Sequence, residues 1–435
     1  MLTTAQEGDD TGRTIGDLVL VDAIDLYSLD LDGTLNQATL SPDGSTIISG
    51  GLGDLCVLDV DTLTSECTIF DDELPQVLAF IWSPDSRFVA LEHTGLRTLT
   101  DGDIVLYDVE NNQLINRTDD GEAQIGTFGM ETDGPEPLLD IAPTWGDENG
   151  DLYFVRYRPR EDDLETLMRI PGPGSGSGLM GMNSDDTADE LTTDSDPEII
   201  TQLSGTLDLL SVYMNPPVVF DGPMAVSPDG TQMALSVRPI DRDSTQRGIW
   251  ILDLESDEFT QIASSEQFYS LGLPTDEDGE DIPLDLHALE WTADGIFVFG
   301  WDSMFMGTGV NQNLFFIDDE TFEISPVFDL SGFGDFRDYA TREETNGLIR
   351  PMFANIMPDE SAILYADQIA LCRDFGSACG LWAIPLPYDP DFEPVLLTEM
   401  DPEALNPLWD MSIGQNDTQV RVLIHNMVYT FEYQQ

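Results

Sequence analysis

The cysteines, histidines and arginines are few enough for their chemistry to be located: 4 Cys, 3 His and 16 cations against 84 carboxylates. The cysteines form two close pairs, Cys56/Cys67 and Cys372/Cys379. In DLCVLDVDTLTSECTIF, a turn over Asp61 to Thr64 sets Cys56 opposite Cys67 across a hairpin. In LCRDFGSACGLW, Cys372 and Cys379 bracket a short loop. Both spacings suit disulfides, and neither is the C-x-x-C of a metal or redox site. Disulfides predict an oxidising compartment, whether periplasm, cell surface or outside. His93, His287 and His425 have no short ligand spacing, so they are expected to be structural rather than metal ligands.

Every cation is Arg, since no Lys occurs. The arginines cluster: Arg156, Arg158 and Arg160 lie together, and so do Arg238, Arg242 and Arg247. Planar guanidinium groups grouped in this way could capture a carboxylate, a phosphate or an acidic partner segment. The competing use is local pairing with Glu161, Asp162, Asp163, Asp241 and Asp243.

The formal charge, 16 − 84 = −68, bears on partners. Nucleic acid is excluded, because its binding depends on phosphate neutralisation by Lys and Arg. An anionic membrane surface is disfavoured for the same reason. No apolar run has the length of a transmembrane helix, and the first residues, MLTTAQEGDDTGRTIGD, lack the apolar core of a signal peptide. The acidity fits either a salt-rich habitat or an ordinary acidic secreted protein. With 41% hydrophobic residues the chain can build a core.

The element that must position these residues is a repeat. An apolar strand leads to a tight turn, a second apolar strand, a variable loop, and a third strand ending in Asp. The turns are Ser41-Pro42-Asp43-Gly44, Ser83-Pro84-Asp85-Ser86, Gly146–Gly150, Ser227-Pro228-Asp229-Gly230, Thr292-Ala293-Asp294-Gly295 and Met357-Pro358-Asp359-Glu360, with a degenerate seventh at Gly414–Asp417. Pro presets φ, Asp caps nearby backbone and Gly accepts positive φ. Flanking runs such as STIISGG, RFVALEH, TQMALSV, GIFVFGW and SAILYAD read as strands. LCVLDVDT, DIVLYDVENN, IWILDLES and LFFIDDET align as third strands, and SECTIF, QLINRT, PEIITQL and FTQIAS follow as fourth strands.

This pattern predicts an all-β protein: a single seven-bladed β-propeller of four-stranded antiparallel blades, with six or eight blades as the open alternatives. The last unit lacks a fourth strand. The segment from Asp17 to Ile24 has no partner of its own, so the N-terminal strand is expected to close the ring. Residues 1–16 are expected to be a flexible segment and 17–435 the propeller. Within it, 171–197 (PGPGSGSGLMGMNSDDTADELTTDSDP) reads as a disordered-type acidic Gly/Ser-rich insertion between third and fourth strands.

The strand–SPDG–strand–loop–hhhhD unit resembles the WD40-like (PD40) β-propeller repeat of the TolB C-terminal domain and related surface propellers. The resemblance runs from about residue 17 to the end. It implies the propeller fold and an extracytoplasmic setting. TolB carries a small α/β domain before a six-bladed propeller, whereas this chain has seven units and no such domain. Some peptidases carry related propellers beside an α/β-hydrolase domain, but no G-x-S-x-G elbow follows a strand here.

On this architecture the Arg clusters fall in loops between second and third strands of adjacent blades. Asp221, His287 and Arg350 fall at the starts of blades four, five and six, where they would line the mouth of the central channel. The expected function is a non-enzymatic extracytoplasmic scaffold for a protein partner. The alternatives are a propeller binding a small ligand, glycan or Ca²⁺, and a propeller lyase or hydrolase using carboxylates such as Asp140 and Asp221. No cofactor is expected. Ca²⁺ is the one ion the composition admits, although the run Thr275–Asp281 is no EF-hand, because Asp281 stands where Gly is required.

Overall fold

The computed structural model describes residues 15–29, 38–50, 54–69, 77–93, 103–118, 139–146, 150–158, 164–172, 197–202, 224–237, 245–271, 284–302, 312–327, 351–367, 379–387, 389, 394–401 and 411–434. Their strands form seven separate four-stranded sheets, each antiparallel throughout. The chain is a seven-bladed β-propeller.

Blade 1 is β2 (Thr39–Leu40), β3 (Thr46–Gly50), β4 (Asp54–Asp59) and β5 (Thr64–Ile69). Blade 2 is β6 (Val77–Trp82), β7 (Phe88–His93), β8 (Ile104–Asp108) and β9 (Gln113–Asn116). Blade 3 is β10 (Leu139–Trp145), β11 (Leu152–Arg158), β12 (Leu164–Ile170) and β13 (Glu198–Gln202). Blade 4 is β14 (Met224–Val226), β15 (Gln232–Val237), β16 (Gly248–Asp253) and β17 (Glu258–Ser264). Blade 5 is β18 (Leu284–Thr292), β19 (Gly295–Asp302), β20 (Gln312–Ile317) and β21 (Ile324–Pro326). Blade 6 is β22 (Pro351–Ile356), β23 (Ala362–Asp367), β24 (Cys379–Pro385) and β25 (Val395–Met400). Blade 7 joins β26 (Met411–Gln415), β27 (Gln419–Ile424) and β28 (Met427–Tyr433) to the N-terminal β1 (Leu18–Asp25), in the order β1-β28-β27-β26. The ring therefore closes as the unpaired N-terminal segment predicts. Ile15 and Gly16, expected in a flexible leader, belong to a 3-10 turn over Ile15–Asp17 whose Ile15 is buried. Residues 1–14 and 173–196 lie outside the described residues.

The core is divided among the seams between blades. Alternate side chains of one strand point into opposite seams. In β3, Ile47 packs with Leu423 and Val428 of blade 7, while Ile48 packs with Val89 and Leu91 of blade 2. In β23, Ile363 and Tyr365 face blade 5, while Ala362, Leu364 and Ala366 face blade 7. Burial on both faces is why these second strands read as continuously apolar.

Two side-chain devices fix the turns. In Ser41–Gly44 the Ser41 hydroxyl donates to Asp43 Oδ1 (2.6 Å) and accepts from the Thr46 N–H (3.0 Å), while Asp43 Oδ1 accepts from the Ser45 N–H (2.9 Å). Ser83/Asp85 and Ser227/Asp229 repeat the arrangement. At the end of third strands, Asp59, Asp253 and Asp318 accept from the backbone N–H and hydroxyl of Thr62, Ser256 and Thr321. The next residues, Leu63, Asp257 and Phe322, take φ of 53°, 58° and 58°.

Candidate interaction face

At one face of the ring lie the 1–2 and 3–4 hairpin turns. At the other face first strands begin, second strands end, third strands begin and fourth strands end. The described candidates of the Arg clusters and channel mouth belong to this second face. Arg158 closes β11, Arg247 immediately precedes β16, and His287 pairs with Phe299 in the first half of β18. His93 closes β7, and His425 sits in the two-residue turn between β27 and β28 at φ 56°. Arg160, Arg238, Arg242, Asp221 and Arg350 lie outside the described residues.

Arg156 differs from its expected place. It lies inside β11 rather than after it, directly opposite Asp140 on the innermost strand. Its Nε and Nη2 donate to Asp140 Oδ1 and Oδ2, each at 2.7 Å. The Asp140 side chain is 1% exposed and that of Arg156 15%. The described partner is thus cross-strand; Glu161, Asp162 and Asp163 lie outside the described residues. A bidentate guanidinium held by a buried carboxylate is a structural clamp near the channel mouth, and it makes Arg156 poorly suited to seize a partner's anion.

A second buried carboxylate on this face is Asp367, the last residue of β23. Its Oδ2 accepts from the Gly380 N–H (2.6 Å) and Trp382 Nε1 (3.1 Å). Trp382 stacks on Tyr365 at 6.4 Å and 10°, and burial followed by the Asp367 charge pushes the Tyr365 phenol up. Gly380 is required because a Cβ there would stand 2.0 Å from Trp382 Nε1. Cys379, beside it, is buried and disulfide-bonded, and Cys372 lies outside the described residues. At blade 1, Cys56 and Cys67 sit directly opposite in β4 and β5, with Cα atoms 4.0 Å apart, and are joined.

The insertion leaves from the opposite face through a pinned root. The Gly172 N–H donates to Asp151 Oδ1 (2.7 Å), and Arg169 bridges Asp151 (3.6 Å) and Glu198 (2.7 Å). Among the described residues, no three His, Cys, Asp or Glu side chains are grouped to hold a metal ion. No described helix is long and apolar enough to cross a membrane. Residue types alone do not pair Asp140 with Arg156. The signal for that pair is positional, since both residues sit at matching depths in the adjoining strands of the blade-3 hairpin.

The strand pairing defines the class, a closed seven-bladed β-propeller. No protein-family model matches the sequence, and no curated protein matches it significantly. Among solved structures, a chain of a mitotic checkpoint complex is 11% identical with a TM-score of 0.46, covering 100% of this chain and 97% of that one. TolB from Acinetobacter baumannii is 10% identical with a TM-score of 0.35, covering 92% and 79%. The β-propeller domain of the trilobed protease from Pyrococcus furiosus is 13% identical with a TM-score of 0.41, covering 84% and 81%.

Proposed function

We propose that the chain is a non-enzymatic, extracytoplasmic β-propeller that serves as an interaction scaffold for a protein partner. The contact face would be the one where second strands end. The observation that carries this reading is the division of the ring. One face carries the Asp-stapled tight turns, while the other carries the blade-to-blade and second-to-third-strand connections, with Arg158 at the end of β11 and Arg247 immediately before β16. The Cys56–Cys67 disulfide supports the oxidising compartment. The reading needs no cofactor, and a clear rise in melting temperature on adding Ca²⁺ would contradict that part of it.

A crosslinking pull-down from envelope and secreted fractions, at low and high salt, tests the proposal. One stoichiometric protein partner, weakened by Arg238→Glu or Arg242→Glu, is expected. Failure to recover a partner at either salt would overturn it. Arg156→Glu is unsuitable as a probe, because it would strip Asp140 of its counter-charge.

A further inference from the structure

A groove of about 360 Å³ opens between blades 1 and 2, where their third and fourth strands approach the stapled turns. It lies away from the arginine-bearing face. Blade 1 contributes Val57, Glu66 and Thr68, and blade 2 contributes Tyr107, Val109 and Asn112. Val57 and Glu66 are directly paired across β4 and β5, so they share the face of blade 1 that looks towards blade 2. The Cys56–Cys67 bridge, one residue along in each strand, clamps the same strand pair from the opposite face.

Tyr107 is the residue that departs from the repeat. The position before the third-strand Asp is Leu58, Leu252 or Ile317 in blades 1, 4 and 5, all aliphatic and buried. Blade 2 places a phenol there, and its hydroxyl donates to Asn112 Oδ1 at 2.9 Å. Asn112 in turn bonds Thr68 across the seam, at 3.0 and 3.1 Å. The fold does not need this polar bridge, since other blades fill the position with carbon. Burial, then the charge of Glu66, pushes the Tyr107 phenol up to about 12, so at neutral pH it keeps its proton. The Glu66 carboxylate has no hydrogen-bond or ion-pair partner among the described residues, and the lining contains no cation.

The groove therefore offers two carboxylates, Glu66 and an Asp59 already bonded to Thr62, together with hydroxyls and an amide able to donate or accept, and aliphatic patches at Val57 and Val109. A ligand that matches carries several hydroxyls on a ring with C–H faces, and no negative charge. We propose that the blade 1–blade 2 groove binds a neutral saccharide unit. The Glu66 carboxylate accepts from its adjacent hydroxyls, the Tyr107–Asn112–Thr68 bridge orders the polar wall, and Val57 and Val109 carry the ring's C–H face.

Saturation-transfer NMR and titration of the full chain with glucose, galactose, mannose, N-acetylglucosamine and their disaccharides test this. Glucuronic acid serves as the anionic probe and arginine amide as the cationic one. At least one neutral sugar should bind, with glucuronic acid excluded. Glu66→Gln, on an exposed side chain, and Tyr107→Phe should each weaken binding about tenfold, the scale of one lost hydrogen bond to a charged or buried group. Melting temperatures show that both variants stay folded. If no neutral sugar binds, if binding ignores both substitutions, or if arginine amide alone binds, the proposal is overturned.

Discussion

Buried or bonded carboxylates are the residues that carry this structure's chemistry, and each has a measurable consequence. Asp140 is held by Arg156 through two 2.7 Å hydrogen bonds at 1% side-chain exposure. Arg156→Met should cost roughly 3 kcal/mol, because it leaves a buried charge unpaired. The double variant Asp140→Leu/Arg156→Met should recover most of that loss, and denaturant unfolding of the two proteins reads the difference. A second consequence concerns acid. The hydroxyl of Ser227 and the N–H of Thr231 hold Asp229 below its ordinary value of 3.8. For Asp59 and Asp253 the Thr62 and Ser256 N–H groups come first, and for Asp318 the Thr321 hydroxyl; all three are lowered. Asp43 is lowered too, although burial opposes the bonds from Ser41 and Ser45. A carboxyl with a lowered folded pKa stabilises at any pH above its unfolded value and stops doing so as pH falls through the folded one. Asp294 runs the other way, raised by burial and by Asp319. Among the described residues five groups are lowered and one raised, so in high salt, where surface repulsion is screened, stability should be level above about pH 5 and fall below about pH 4. Thermal unfolding from pH 3 to 7 checks it, and Asp229→Asn should flatten part of the drop. At this scale the turn carboxylates are legible in sequence through their Ser-Pro-Asp-Gly and Asp-x-x-Thr settings. The Arg156–Asp140 pair is not, because cross-strand register depends on turn length, and residues 147–149 make that turn irregular in sequence.

Strands and turns are the most legible level, since each blade repeats the same local logic. The period of apolar residues and the turn composition mark strands from Thr46 to Phe431, and the pairing agrees blade by blade. The left-handed residues that close the described third-to-fourth turns cannot be read off so easily, because none of the four, Leu63, Asn112, Asp257 and Phe322, is glycine. Phe322 sits at φ 58° and is 37% exposed, so its ring contributes little packing while its Cβ opposes the conformation. Phe322→Gly should therefore stabilise by roughly 1 kcal/mol, raising the melting temperature. An unchanged or lower value would show that the ring's contacts outweigh the backbone strain. Glycine acts the opposite way at the closing seam. A Cβ on Gly414 would stand 2.3 Å from the Ser41 carbonyl oxygen and 2.4 Å from Gly44 Cα. Both are backbone atoms, so Gly414→Ala must part blade 7 from blade 1. It should cost several kcal/mol, the range of an overpacked core, and a circular dichroism melt of the variant decides it.

Across the whole molecule, charge and closure dominate. A formal charge of −68 with no Lys places repulsion over the entire surface. Raising salt from about 0.15 M to 1 M shortens the screening length from about 8 Å to 3 Å. The melting temperature should climb with sodium or potassium chloride through that range, and a flat response would mean that local pairs such as Arg169–Glu198 balance the repulsion. Composition alone makes this property plain. The blades are legible and the connections are not, because a repeat writes its scaffold many times over, while each connection is written once and has no periodicity to read.

Ring closure has a further consequence for connectivity. β1 and β28 lie in one sheet, and the Gln434 N–H reaches the Asp17 carbonyl at 2.8 Å, so a chain trimmed to residues 17–434 could be spliced by a short peptide. If the spliced chain were cut open between β9 and β10, every strand would survive, and blade 7 would become an uninterrupted unit. The new opening at the blade 2–blade 3 seam would then be held by side chains such as Trp145, whose Nε1 donates to the Ile81 carbonyl, with no strand shared across it. Such a circular permutant conserves the fold, yet gives up the interlock that obliges the first and last segments to unfold together.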